Sequence, residues 1–194
     1  MINDIIVIDD VINILYQTEL ENMLLAEMNL AWYLLDDVAY PGAAVMHRQP
    51  GIVHPLFTTT QGIMSPIYHL ALPMVLQATT AINFNYQSVI RGRSFIQFPT
   101  HTKHANHAHV DTNEPHLVCL YYVNDSDGDT IIYNETVDDI INLPGLSNDM
   151  LTIKQTITPK KGRVVLFNGN RYHSSSVPTT NTRCVINFDV KGTV

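Results

Sequence analysis

The stretch HVDTNEPHLVCLYYVN, residues 109–124, carries two signals side by side. Its second half is an apolar, β-branched and aromatic run, the composition of a strand. Its first half sets His109 and Asp111 two residues apart. On an extended segment such residues project to the same side. Working outward, QSVIRGRSFIQF (87–98), DTIIYN (129–134), LTIKQTI (151–157), GRVVLFN (162–168) and RCVINFDV (183–190) are runs of the same kind, separated by turn residues.

The first eighty residues differ. IIVID (5–9) reads as a short strand, with Asp9 or Asp10 placed to cap a helix. Ile12, Leu15, Tyr16, Leu20, Met23 and Leu24 then recur at helical spacing as core positions. AWYLL (31–35) suggests another strand. Residues 40–65, punctuated by Pro41, Gly42, Pro50, Gly51, Pro55 and Gly62, read as loop. A second helix is predicted from Pro66 to Ala81, with the proline in its first turn. Helices first and strands afterwards predict a mainly β barrel or sandwich backed by N-terminal helices, an α+β arrangement in one domain.

The totals narrow the function. The 194 residues are 45% hydrophobic and 15% charged, with a net charge of −7. Nucleic-acid binders present a basic face. Here the tight basic group is Lys160, Lys161 and Arg163, read as a solvated turn, so no nucleic-acid partner is expected. Cys119 and Cys184 sit in apolar runs and read as buried thiols. Acidic residues near the N-terminus do not suit a signal peptide, and no uncharged run reaches the ~18 residues of a membrane span. The expectation is a cytoplasmic protein with no membrane partner. The sequons at Asn124 and Asn134 are then coincidental. Nothing speaks to oligomeric state.

Five histidines fall between 101 and 116, and only His173 lies beyond them. His109 and Asp111 with His173 would make a two-histidine, one-carboxylate face, the arrangement that holds non-haem Fe(II) and leaves positions open. A competing set is His107, His109 and Glu114 with His173, which matches the cupin spacing His-x-His-x4-Glu. Tyr121 stands where that pattern expects glycine, and Asn168 and Asn170 stand where it expects proline and glycine. His101, His104, His107 and His116 otherwise read as loop or strand-end surface residues. Nothing distinguishes His47, His54 or His69.

Arg183, ten residues after His173, separates the two sets. His109-x-Asp111, His173 and Arg183 together resemble the Fe(II)/2-oxoglutarate-dependent dioxygenases, and within them the prolyl-4-hydroxylase-like group. Pro-x-x-Gly in PKKGRVVLF (159–167), the GDT turn at 128–130 and IIVIDDVIN near the start resemble the same group. Asp129 replaces a glycine of the family's turn. Cys184-Val185 follows Arg183 where many relatives have Arg-x-Ser.

The resemblance implies a double-stranded β-helix, or jelly roll, with N-terminal helices on one side. It implies one domain over 1–194, with the motifs in a barrel at about 85–194. It implies Fe(II) on His109, Asp111 and His173 as catalytic residues, and 2-oxoglutarate with its far carboxylate on Arg183 and Tyr122. O2 is the co-reactant and ascorbate an accessory. Hydroxylation of a prolyl or other peptide residue, or of a small amino-acid-like substrate, is the implied outcome, with release of succinate and CO2. Asp111 keeps the ligand that halogenating relatives lack. Gln97 and Asn187 are polar residues in apolar strands, each either a contact for the near carboxylate or a core amide. Residues 40–65 and 101–107 are the expected substrate mouth. Two other classes stay open: a cupin-type metalloenzyme not using 2-oxoglutarate, and a non-catalytic jelly-roll module.

Overall fold

The computed structural model describes residues 2–26, 29–44, 48–144 and 146–193. His47 lies outside them. In chain order the elements are β1 (Ile6–Ile8), α1 (Ile14–Leu25), β2 (Tyr33–Leu35), β3 (Gly51–Thr58), β4 (Gly62–Ile63), α2 (Ile67–Ala81), β5 (Asn85–Gln97), β6 (Leu117–Tyr122), β7 (Thr130–Thr136), a 3-10 turn at Asn148–Met150, β8 (Ile153–Ile157), β9 (Val164–Asn168), β10 (Arg171–Ser175) and β11 (Arg183–Thr193). Over the described residues the chain is mainly β with two α-helices. An antiparallel sheet runs β1-β9-β6-β11-β5-β3-β2, with β4 on β3, and a second runs β10-β7-β8.

The large sheet has two different faces, set by alternation along its strands. On one face Cys119 and Tyr121 of β6, Leu166 of β9 and Ile186 and Phe188 of β11 share a core with Leu20 and Leu24 of α1 and Met74, Val75 and Ala78 of α2. Gly92 of β5 admits the Phe188 ring there. A Cβ at 92 would lie 2.5 Å from Phe188 Cε1. On the other face Val118, Leu120 and Tyr122 of β6, Val165 and Phe167 of β9 and Val185 of β11 meet Ile132 of β7 and Ile157 of β8. The second sheet therefore covers this face, and the site lies between the two.

Several sequence expectations are corrected. The segment read as loop contains β3, whose Val53 and His54 pair with Phe95 and Ser94 of β5. Its prolines mislead because Pro55 sits where the register shifts, at a bulge that needs no ladder donor from it. Asn13, not Asp9 or Asp10, caps α1, accepting from Tyr16 N at 3.0 Å. Leu15 is 78% exposed and outside the core, and Gln17 is buried instead. β10 was not anticipated, because Arg171-Tyr172-His173-Ser174-Ser175 has no apolar alternation. His116 is fully buried rather than a surface residue, whereas His101, His104 and His69 are exposed. His54 is a satisfied core histidine, held between Ala31 O and Ser65 Oγ at 2.7 Å each. Both cysteines are free and buried, and burial pushes each thiol up to about 12. Asn124 is structural: its side chain donates to Thr182 O and accepts from Cys184 N. Among the described residues no helix is long and apolar enough to cross a membrane.

The basic group at 160–163 is more than a solvated turn. Arg163 and Lys160 both pair with Asp9, and Lys161 pairs with Glu21. These contacts tie the turn before β9 to the N-terminal segment and α1. Hydrogen bonds from Arg163 and Lys160 hold the Asp9 carboxyl down at about 2. A depressed folded value means that stability is present above the ordinary carboxylate value and lost as pH falls toward 2. Asp9 is more than a third exposed, so solvent screening limits the gain to about 1 kcal/mol or less. Asp9→Asn is expected to lower urea stability by that amount at pH 7. The gap from the unmodified chain should narrow between pH 4 and 2, and a gap independent of pH would assign the effect to packing.

Candidate metal and anion site

Register builds the site. On the inner face of the large sheet, Gln97 lies opposite Arg183, Phe95 opposite Val185, Arg93 opposite Asn187, and Arg91 opposite Asp189. The chain from Ala105 to Asp111 crosses to β10 through two isolated bridges, Ala105 to Ser176 and His109 to His173. His109 N donates to His173 O and His173 N to His109 O, each at 3.0 Å. Residues 64 positions apart thus become direct neighbours, with ring centroids 4.7 Å apart.

One ligand atom from each of His109, Asp111 and His173 falls within 4.8 Å of the others. The Nδ1 atoms of His109 and His173 each lie 3.2 Å from a backbone carbonyl two residues earlier, His107 O and Arg171 O. Donation from Nδ1 leaves the Nε2 lone pairs for a ligand. Burial, and then the neighbouring His173, push His109 down to about 4, so its ring stays neutral. Asp111 Oδ1 accepts from Arg91 at 2.9 Å and Arg93 at 2.6 Å, and Oδ2 accepts from Asn187 Nδ2 at 2.9 Å. Burial alone would raise this carboxyl. The His173 contact and the two guanidiniums outweigh it and hold Asp111 well below the usual range. Two imidazoles and one ionised carboxylate suit a divalent cation. Glu114, needed by the cupin set, is exposed and outside both metal-capable clusters found among the described residues.

The other cluster is Asp111, His116 and Asp189. Asp189 Oδ2 accepts from Arg91 Nε at 2.9 Å, and His116 Nε2 stands 3.9 Å from Asp189 Oδ1. Neither His116 nor Asp189 lines the cavity, so this pair supports Arg91 from behind. Burial, and then Asp111, raise the Asp189 carboxyl.

A cavity of about 310 Å³ spreads from the triad to Arg183. Arg183 is 5% exposed. Its Nε donates to Gly128 O at 2.8 Å, one Nη to Thr130 Oγ1 at 2.9 Å and the other to Gln97 Oε1 at 3.3 Å. Gly128 permits this approach, since a Cβ there would lie 2.9 Å from Arg183 Cδ. Among the described residues no carboxylate lies within 4.0 Å of the Arg183 guanidinium. Tyr122 is fully buried behind the lining, with its hydroxyl donating to Thr130 Oγ1 at 2.7 Å. Asp129, in the family's glycine position, points to Lys103 and Thr158 at the surface.

Gln97 and Asn187 both line the cavity. Of the described residues of the expected mouth, only Pro41 does so. Val38 and Ala39 join it, and no residue of 101–107 takes part. Sequence reasoning missed Arg91, Arg93 and Thr130. The alternation Arg91, Arg93, Phe95, Gln97 was the signal that would have found the two arginines.

In comparisons with known proteins, no family model and no curated protein matches the chain by sequence. Solved structures match it in fold. A 2OG-Fe(II) oxygenase family oxidoreductase from Burkholderia pseudomallei aligns with a TM-score of 0.66 at 10% identity, covering 96% of this chain and 84% of that one. A prolyl hydroxylase from Trichoplax adhaerens, in complex with a hypoxia inducible factor peptide, aligns at 0.59 and 12%, covering 97% and 83%. HygX from Streptomyces hygroscopicus, with nickel and 2-oxoglutarate bound, aligns at 0.61 and 14%, covering 96% and 82%. It has also been solved with hygromycin B. The fold is that of the 2-oxoglutarate-Fe(II) oxygenases, prolyl hydroxylases among them.

Proposed function

We propose that the chain is an Fe(II)- and 2-oxoglutarate-dependent dioxygenase, built as a double-stranded β-helix in a single domain over 1–194. His109, Asp111 and His173 hold the metal. Arg183, with Thr130 beside it and Tyr122 behind, clamps the far carboxylate of 2-oxoglutarate. When bound, Fe(II) and 2-oxoglutarate supply oxidising power from O2, with succinate and CO2 released and a prolyl, other peptidyl or small amino-acid-like substrate hydroxylated.

The observation that carries this reading is Arg183. A buried guanidinium without a counter-anion is costly, and it faces the same cavity as the triad. A planar fork there suits a carboxylate held by two parallel hydrogen bonds. The remaining residues position and shield. Asn187, Arg91 and Arg93 fix the Asp111 carboxylate, and Phe95, Val118, Leu120, Phe167 and Val185 keep the cavity wall apolar.

The test is an anaerobic Fe(II) titration with and without 2-oxoglutarate, watching for the weak visible metal-to-ligand charge-transfer band. A band requiring both components is the expected result. Iron bound without any band would point to a metalloprotein that does not use 2-oxoglutarate, and no iron bound would leave a non-catalytic barrel.

A further inference from the structure

Arg91 and Arg93 stand side by side, but their hydrogen bonding differs. Arg91 is held by two carboxylates. Its Nε and Nη2 reach Asp189, and Nη2 also reaches the backbone and side chain of Asp111. For Arg93 one bond is found, from Nη2 to Asp111 Oδ1. Its Nε is closed to solvent and has no partner among the described residues. Buried donors are rarely left so. The guanidinium carbon also lies 4.8 Å over the Phe95 ring, which holds the plane of the fork at the cavity wall.

Charge points the same way. Arg91, Arg93 and Arg183 line the cavity, against Asp111 in the lining and Asp189 behind it. A divalent ion on Asp111 would be the largest local charge and would weaken that carboxylate's hold on Arg93. Three guanidiniums and the ion, set against two carboxylates, leave three positive charges. A dianionic cosubstrate leaves one. Position separates Arg93 from the cosubstrate clamp. It is level with Asn187, four residues along β11 from Arg183, roughly 13 Å at strand rise.

We propose that Arg93 is the docking point for a substrate carboxylate, so that the substrate is a free amino acid or related small carboxylic acid rather than an internal residue of a peptide. This rests on the dioxygenase reading for the reaction, though not for the anion site itself. A cavity of about 310 Å³ shared with 2-oxoglutarate fits a substrate of that size.

The experiment uses free L-amino acids, each paired with its carboxamide, as probes. Binding is read as a change in the visible spectrum of the Fe(II)- and 2-oxoglutarate-loaded protein, and as a thermal shift of the metal-free protein. At least one acid is expected to bind tenfold or more tighter than its amide. That preference should disappear in Arg93→Gln, be partly kept in Arg93→Lys, and survive Arg183→Gln in the metal-free protein. Acids binding no better than amides, no probe binding, or a preference that persists in Arg93→Gln would overturn the proposal. So would an Arg93→Gln variant whose main defect is weakened 2-oxoglutarate binding, since that places Arg93 in the cosubstrate site. Acid preference through Arg93 without any charge-transfer band would instead sink the dioxygenase reading and leave the anion site standing.

Discussion

Arg183→Met is expected to weaken 2-oxoglutarate binding by roughly 30- to 5,000-fold while leaving the protein as stable as before. The first figure follows from the about 2–5 kcal/mol lost when one partner of a buried, hydrogen-bonded charge pair is truncated. The second follows from what surrounds Arg183 in the absence of an anion. Its partners are Gly128 O, Thr130 Oγ1 and Gln97 Oε1, all neutral, and burial pulls the guanidinium below its usual value. Methionine gives up three hydrogen bonds worth about 1 kcal/mol each. It also removes a buried charge whose desolvation costs several kcal/mol. Thr130 keeps the Tyr122 hydroxyl as a donor. Titration of 2-oxoglutarate into the metal-loaded protein, beside a thermal melt, checks both halves. Unchanged affinity, or a melt that collapses, would mean that Arg183 is there for the fold.

His173→Ala is expected to cut Fe(II) affinity at least ~100-fold, because even residues that only orient a ligand cost 10–100-fold. The chain should still fold. The bridge to His109 is made by main-chain atoms, and the pairing of His173 with Ile132 of β7 is also backbone. Glu114→Gln is the control and should bind iron normally, since Glu114 is exposed and outside the cluster. Anaerobic titration with circular dichroism on each variant decides the matter. Iron binding lost in Glu114→Gln as well as in His173→Ala would revive the cupin ligand set, which shares His173.

Much of the fold was legible because burial imposes composition. Strands β5, β6, β9 and β11 are continuous or alternating β-branched and aromatic runs, and α2 is an apolar segment of helical length. β3 was not legible, since its proline and glycine carry the same marks as a loop and only pairing with β5 and β2 identifies it. β10 was hidden for another reason. His173, Ser174 and Ser175 line the site and Tyr172 joins the core, so the apolar period is absent. The burial of His116 was equally invisible: a histidine between Pro115 and the start of β6 looks exposed until Gly169 and Asp189 close over it.

The residue types that suit a divalent metal and a carboxylate, His109, Asp111, His173 and Arg183, were determined by the sequence itself. Their chemistry and spacing are local properties. Tertiary structure alone decided which of the competing ligand sets converges, because the His109–His173 bridge depends on backbone hydrogen bonds between segments 64 residues apart. It likewise decided that Arg91 is held by Asp189 as well as Asp111, while Arg93 Nε has no partner among the described residues. That difference arises from sheet register, which aligns Arg91 with Asp189 and Arg93 with Asn187. Register is a sum of many cross-strand contacts and is written in no short stretch of chain.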